Sequence, residues 1–194
     1  MESLNILQHF AYTYTGIVKS ICKRGNMQDN QSQTHWIYAA GIMDSDGCFM
    51  ISKRMSNNKK RIEYMPLVKI AMITDRSLKY IREKTGLGNI LINGTRPSRP
   101  KSLPIYEWRI TKVNDLLIFL NNILPYLQNK KERAEHLLNF CAIGNYKNHK
   151  DGHRLTKEEL NYREQAYLEM RKLNGSKVGA TTKSLGPEKG YAIV

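Results

Sequence analysis

Asp44 and Asp46 are the side chains whose spacing most clearly suggests chemistry. They flank Ser45, Gly47 ends the run, and Ala39-Ala40-Gly41-Ile42-Met43 leads into it. Upstream, His35-Trp36-Ile37-Tyr38 extends the apolar pattern by another turn. The stretch reads as a short buried helix, about residues 35–44, that delivers carboxylates to its C-terminal end. Acidic side chains are disfavoured at that pole of a helix. Two of them there suggest a cation, and a hard divalent ion takes oxygen ligands of this kind. The plainer alternative is a helix C-cap, with Gly47 in the left-handed conformation and both Asp side chains in water.

The rest of the chain must position these groups. Its 194 residues are enough for one domain with a proper core. The net charge is +14 with a pI near 9.7, and Lys and Arg are spread throughout. Such a balance implies a polyanionic partner, nucleic acid first and an anionic membrane surface second. No apolar run approaches a membrane span, and no secretory signal begins at Met1. Cys22, Cys48 and Cys141 fit no metal-ligand spacing, so a reducing intracellular compartment is expected. No second copy of the Asp-x-Asp-Gly run occurs.

Residues 1–34 are expected to be an N-terminal extension: some helical spacing from Ile6 to Cys22, then a polar linker from Gly25 to Thr34. Beyond the motif helix, Cys48 to Met55 alternates as a strand, with Cys48, Met50, Ser52 and Arg54 on one face. The polar turn around Lys59-Lys60-Arg61 leads to a second strand over Ile62–Thr74, with Val68, Ile70 and Met72 on one face. Asp75 is placed to cap a helix that carries Leu78 and Ile81 and ends at Gly86. A third strand spans Asn89–Asn93, with Ile90 and Ile92 inward. The basic loop Arg96-Pro97-Ser98-Arg99-Pro100-Lys101 precedes a fourth strand, Ile105–Thr111. A helix then starts near Asn114 or Asp115, breaks at Pro125, and is followed by another over Lys131–Ala142. Thr156 and Glu159 form a capping box for a last helix, and residues 174–194 read as a mobile tail.

On these residues the chain resembles the LAGLIDADG homing endonucleases. Gly41, Asp44, Asp46 and Gly47 match that motif, while Ala39 stands where Leu is usual, Met43 replaces Ile, and Ser45 replaces Ala. The element order matches the family's αββαββα plan over about residues 36–146. The expected fold class is therefore α+β, a four-stranded antiparallel DNA-binding sheet with helices on one face. The expected organisation is a single endonuclease domain over residues 35–173.

The resemblance implies a divalent-metal-dependent, site-specific double-strand DNA endonuclease that uses Mg²⁺, with Mn²⁺ as a substitute. Asp46 would be the catalytic metal ligand, joined by the backbone carbonyl of Ser45. One motif per chain implies a homodimer, with Ala40, Gly41 and Asp44 at the interface. Lys130, in Pro125-Tyr126-Leu127-Gln128-Asn129-Lys130-Lys131, falls on the family's catalytic-pocket lysine. The Gln that relatives often carry near the end of strand two is absent, with Thr74 or Asp75 in that area.

The sheet's other face carries Ser52, Arg54, Lys69, Asn89, Asn93, Glu107 and Arg109, together with Met50. Arg suits guanine and Asn suits adenine in the major groove. Met50 is left between contact with a thymine methyl and packing under a neighbour. Lys59, Lys60 and Arg61 at one hairpin tip, and Arg96, Arg99 and Lys101 at the other, would meet phosphates. Ordinary solvated charges are the plain alternative for this face. On the same fold, an RNA-binding maturase that helps a group I intron to splice is the rival function. Family members are usually encoded within introns or inteins. With no splicing residues here, an intron or stand-alone gene is expected, in an organelle (chloroplast or mitochondrion) or a bacterial or phage cytoplasm.

Overall fold

The computed structural model describes residues 30–56, 62–93, 103–143 and 156–175. The elements, in order, are α1 (Asn30–Ser45), β1 (Gly47–Met55), β2 (Ile62–Met72), α2 (Arg76–Thr85), β3 (Asn89–Asn93), β4 (Ile105–Ile110), α3 (Val113–Ile123), α4 (Lys131–Ile143) and α5 (Lys157–Leu173). A single 3₁₀ turn, Leu124–Tyr126, follows α3, where Pro125 cannot donate to a continued helix. The expected αββαββα order is present, with α4 and α5 added behind it.

The strands form one antiparallel sheet in the order β1-β2-β4-β3. Period-two alternation sends Phe49, Ile51, Tyr64, Val68, Ile70, Trp108 and Ile110 into the core, where all the helices pack. Trp108 is fully buried, and its indole donates to the Leu87 carbonyl at 3.0 Å. Gly88, at φ 74°, lies over this indole. A Cβ there would come within 2.7 Å of both Trp108 Nε1 and the Arg109 carbonyl. Pro66 occupies a stretch of β2 that has β1 as its only strand neighbour, a placement that proline tolerates. β1 pairs with β2 from Gly47↔Ile70 to Met55↔Ile62, whereas β4 pairs with the C-terminal part of β2, from Val68↔Ile110 to Met72↔Tyr106. The β1–β2 and β3–β4 connections therefore lie at opposite ends of the sheet.

Several local expectations are revised. The motif helix spans Asn30–Ser45, longer than expected, and the stretch from Asn30 to Thr34 holds no Gly or Pro to interrupt it. Asp75 makes no side-chain cap; its carboxylate pairs with Lys79 at 2.6 Å, one turn along the same helix. Ile92 is 64% exposed, since β3 is an edge strand and its outer end has outrun the core. Asn174, assigned to the tail, donates from its side-chain amide to the Phe49 carbonyl at 2.9 Å and so joins the packed unit. The Thr156–Glu159 capping box is present as expected. The N-terminal segment before Asn30 and the tail beyond Gly175 lie outside the described residues.

The last helix is part of the core. Ala166 and Met170 are buried in it, and His136 on α4 bonds the Ala166 carbonyl at 2.8 Å. Glu164 takes Lys53 at 2.6 Å and the Tyr64 hydroxyl as well. Among the described residues, no helix is long and apolar enough to cross a membrane.

Candidate functional site

Helix α1 presents two different faces. Ala39, Ala40 and Met43 are fully buried against the chain's own core, with Trp36 packed beside them. Thr34, Ile37, Tyr38, Gly41 and Ser45 lie outward at helical spacing. Ile37 is 51% and Tyr38 41% exposed, and a Cβ built on Gly41 would meet nothing within 4 Å. The interface expected at Ala40 and Gly41 is thus corrected for Ala40, whose small side chain lets α1 sit close to its own core. Gly41 is the small residue open to a partner. Ile37 lies exposed beside Gly41, while Tyr38 donates from its hydroxyl to Ser77 Oγ at 2.9 Å and packs edge-on against Tyr80.

The C-terminal end of α1 is closed by contacts from far along the chain. The Ile42 carbonyl accepts from Asp46 N at 2.9 Å and from Ser45 Oγ at 3.1 Å. Lys130 Nζ donates to the carbonyls of Met43 (3.0 Å), Ser45 (2.9 Å) and Gly47 (2.7 Å). Three acceptors match the three protons of an ammonium. Burial draws the Lys130 pKa below the usual lysine value and Arg133 adds to this, against the pull of Cys48, Asp44 and Asp46. In return, the Asp44 carboxylate accepts the backbone amides of Gln128 (2.7 Å) and Lys130 (3.0 Å). A Cβ on Gly47 would fall 2.5 Å from Met43 Sδ, so only glycine lets the chain pass from α1 directly into β1.

This geometry sorts the expected site residues. Asp46 is exposed, and its carboxylate carries only a 3.2 Å bond from Ser45 Oγ. Asp44 holds amides of its own chain, those of Gln128 and Lys130. Lys130, expected as the catalytic-pocket lysine, donates to three carbonyls where α1 passes into β1 and so holds that junction. The Ser45 carbonyl, expected to bind metal, is already an acceptor for that ammonium and keeps one lone pair. Among the described residues, no cluster of three or more His, Cys, Asp or Glu could enclose a metal ion. One chain therefore offers one free carboxylate and part of a carbonyl, a fit for a hard divalent ion only if more oxygens arrive from outside. Cys141 is buried, which pushes its thiol up to about 12 and leaves it chemically quiet.

Among the described residues, the helices pack on the core face of the sheet and leave its second face to the strands. Met50, Ser52 and Arg54 lie along β1, with Cys48 at the start, and Lys69 and Arg109 pair directly across β2 and β4. Asn89 pairs with Arg109, so Cys48, Lys69, Arg109 and Asn89 make one row across all four strands. Arg54 Nε reaches Glu63 at 3.2 Å, and Glu107 lies between Arg109 (2.8 Å) and Lys69 (3.7 Å). Asn93 is half-buried on the outer strand, its Oδ1 without a hydrogen-bond partner. Lys59, Lys60, Arg61, Arg96, Arg99 and Lys101 lie outside the described residues. Apolar Met65, Leu67 and Leu91 also lie on this face, so it is less uniformly polar than the sequence reading held.

No family model and no curated protein matches the chain. Solved structures do. The homing endonuclease I-CvuI, in complex with a DNA target, gives a TM-score of 0.60 at 18% identity over 80% of this chain and 88% of that one. The archaeal intron-encoded homing endonuclease I-Vdi141I, complexed with DNA, gives 0.57 at 20% identity over 77% and 88%. The LAGLIDADG homing endonuclease I-SmaMI, bound to cleaved DNA, gives 0.51 at 17% identity over 80% of this chain but 46% of that one. At these identities the likeness is one of fold, and the chain has the fold of the LAGLIDADG homing endonucleases.

Proposed function

We propose that this chain, folded as the LAGLIDADG homing endonucleases are, is a site-specific DNA endonuclease that works as a homodimer with a divalent metal. The observation that carries the reading is the position of Asp46. Its exposed carboxylate stands at the end of a helix on which Ile37 and Gly41 are exposed, beside the first strand of a sheet face that carries Arg54, Lys69 and Arg109.

Two copies packed through Ile37, Tyr38 and Gly41 would bring two Asp46 carboxylates to one place. A two-fold contact of this kind is self-complementary, and the match to about half of the I-SmaMI chain supports it. DNA phosphate and water would supply the remaining oxygens. Mg²⁺ is the expected ion, with Mn²⁺ as a substitute; bound there, it would activate water and offset charge on the leaving oxygen. The protein's own part is to hold. Lys130 keeps the end of α1 closed, Asp44 ties that end to α4, and Asp46 is thereby presented at a fixed point. The basic sheet keeps the duplex in register by phosphate contacts and reads base edges from its strands.

The test is cleavage of duplex DNA that carries the insertion site next to the chain's reading frame. Mg²⁺ should give double-strand breaks, Ca²⁺ binding without cutting, and EDTA no cutting. Binding without breaks in Mg²⁺ and Mn²⁺ would overturn the enzymatic reading, and tighter binding to intron RNA would favour the splicing role.

A further inference from the structure

Lys69 and Arg109 face each other directly across β2 and β4. Like charges in that position repel and weaken the pair. Glu107 offsets the repulsion from the same face, two residues before Arg109. Its Oε1 takes Arg109 Nη2 at 2.8 Å, and its Oε2 lies 3.7 Å from Lys69 Nζ. The Glu107 side chain is only 12% exposed, less than either cation.

A carboxylate on a DNA-binding face has two uses. It can accept from a cytosine amino group, or it can hold neighbouring cations. Direct readout needs an oxygen that is free and reachable. Here both oxygens are turned to cations and the group lies beneath them. We infer that Glu107 is a positioning residue that fixes Arg109 for base reading and so sets discrimination at one position of each half-site. This rests on the DNA-binding reading above.

The two contacts are unequal, and the inequality carries the argument. The Arg109 contact is a charge-assisted hydrogen bond, whereas 3.7 Å to Lys69 is an ion pair too long to be one. Arg109 is held in one orientation before DNA arrives, while Lys69 keeps its freedom to meet a phosphate. Ordering a long side chain costs entropy, and a residue ordered in advance loses less on binding. Asn89, opposite Arg109, sets an adenine-type reader beside a guanine-type one.

The experiment uses the full chain and a randomised duplex library, with selected motifs compared for wild type, Glu107→Gln, Glu107→Ala and Arg109→Ala. Affinity for the unselected library and melting temperature are measured in parallel. Glu107→Gln is expected to keep the melting temperature and to bind the unselected library more tightly, having lost a negative charge. It should lose roughly tenfold in discrimination at one position per half-site, the position that Arg109→Ala also relaxes. Adding Glu107→Gln to Arg109→Ala should change that position no further. An unaltered motif in Glu107→Gln would overturn the inference, as would a switch to another preferred base, which marks direct contact. A wild-type chain that binds but enriches no motif removes the site-specific reading itself, and this inference with it.

Discussion

Asp44 and Lys130 fasten each other's helices. The Lys130 ammonium closes the carbonyl end of the helix that carries Asp44, and the Asp44 carboxylate holds the turn that opens the helix after Lys130. The negative end of one helix dipole meets the positive end of another, each with a counter-charge in place. Asp44→Ala and Lys130→Met should each cost about 1–3 kcal/mol, because each strands buried or half-buried hydrogen-bonding groups. The double variant should lose less than the sum of the two. Urea unfolding of the four proteins measures this, and full additivity would mean that the two caps are independent.

Asp46→Asn should leave folding and DNA binding nearly intact, because the exposed carboxylate's hydrogen bond among the described residues is the one from Ser45 Oγ, next to it in the chain. Cleavage should fall by roughly 10²–10³-fold or more, as expected for losing a group that stabilises charge at the reacting centre. Nicking and gel shift, run side by side in Mg²⁺ and Ca²⁺, check it. Cutting at the wild-type rate would remove Asp46 from the chemistry.

Gly41→Ala separates folding from assembly. The open space around Gly41 admits a methyl group, and replacing a mid-helix glycine should stabilise the monomer by about 0.5–1 kcal/mol. The same methyl holds two helices apart and should weaken the dimer, and Gly41→Leu should break it. Sedimentation and thermal melts together give the answer. By contrast, Ala40→Leu should lower the melting temperature, since Ala40 is fully buried in its own chain.

Glu164 links acid stability to the last helix. Burial alone would raise its carboxyl pKa, but the bonds from Lys53 and Tyr64 outweigh this and hold it below the usual 4.5. A carboxyl depressed in the folded state contributes stability above its unfolded pKa and loses it as pH falls through the folded value. Stability should therefore decline on acidification below about 4.5. Glu164→Gln should flatten that decline and cost about 1 kcal/mol at neutral pH, a modest figure because the pair is partly exposed. Denaturant titrations between neutral and acid pH test the sign.

The strands were legible because their signal is local. Val68, Ile70, Trp108 and Ile110 alternate with polar neighbours, and alternation needs no knowledge of the rest of the chain. Asp46 and Gly41 were legible from the motif around them. What stayed hidden depends on contacts between distant segments. Lys130 looked like a pocket group because nothing near it in sequence hints at the carbonyls of Met43, Ser45 and Gly47. Ala40 and Gly41 look alike as small residues, and only the packed helix separates inward from outward. The place of Glu107 between Arg109 and Lys69 could not be read from the sequence, because Lys69 lies on a different strand.

Gly47 joins the end of α1 to the start of β1 with no intervening loop. That makes β1 a ruler with its zero mark at Asp46. A strand advances about 3.3 Å per residue, close to the ~3.4 Å rise per base pair along the DNA axis. Under the proposed function, a duplex laid along β1 would set Met50, Ser52 and Arg54 at fixed offsets, two residues apart, from a bond cut at Asp46. Inserting one residue after Gly47 would shift every mark by about one base pair and turn the readers to the core face. On the proposed function, the backbone would lock the cut position and the recognised sequence together, so that neither could drift without the other.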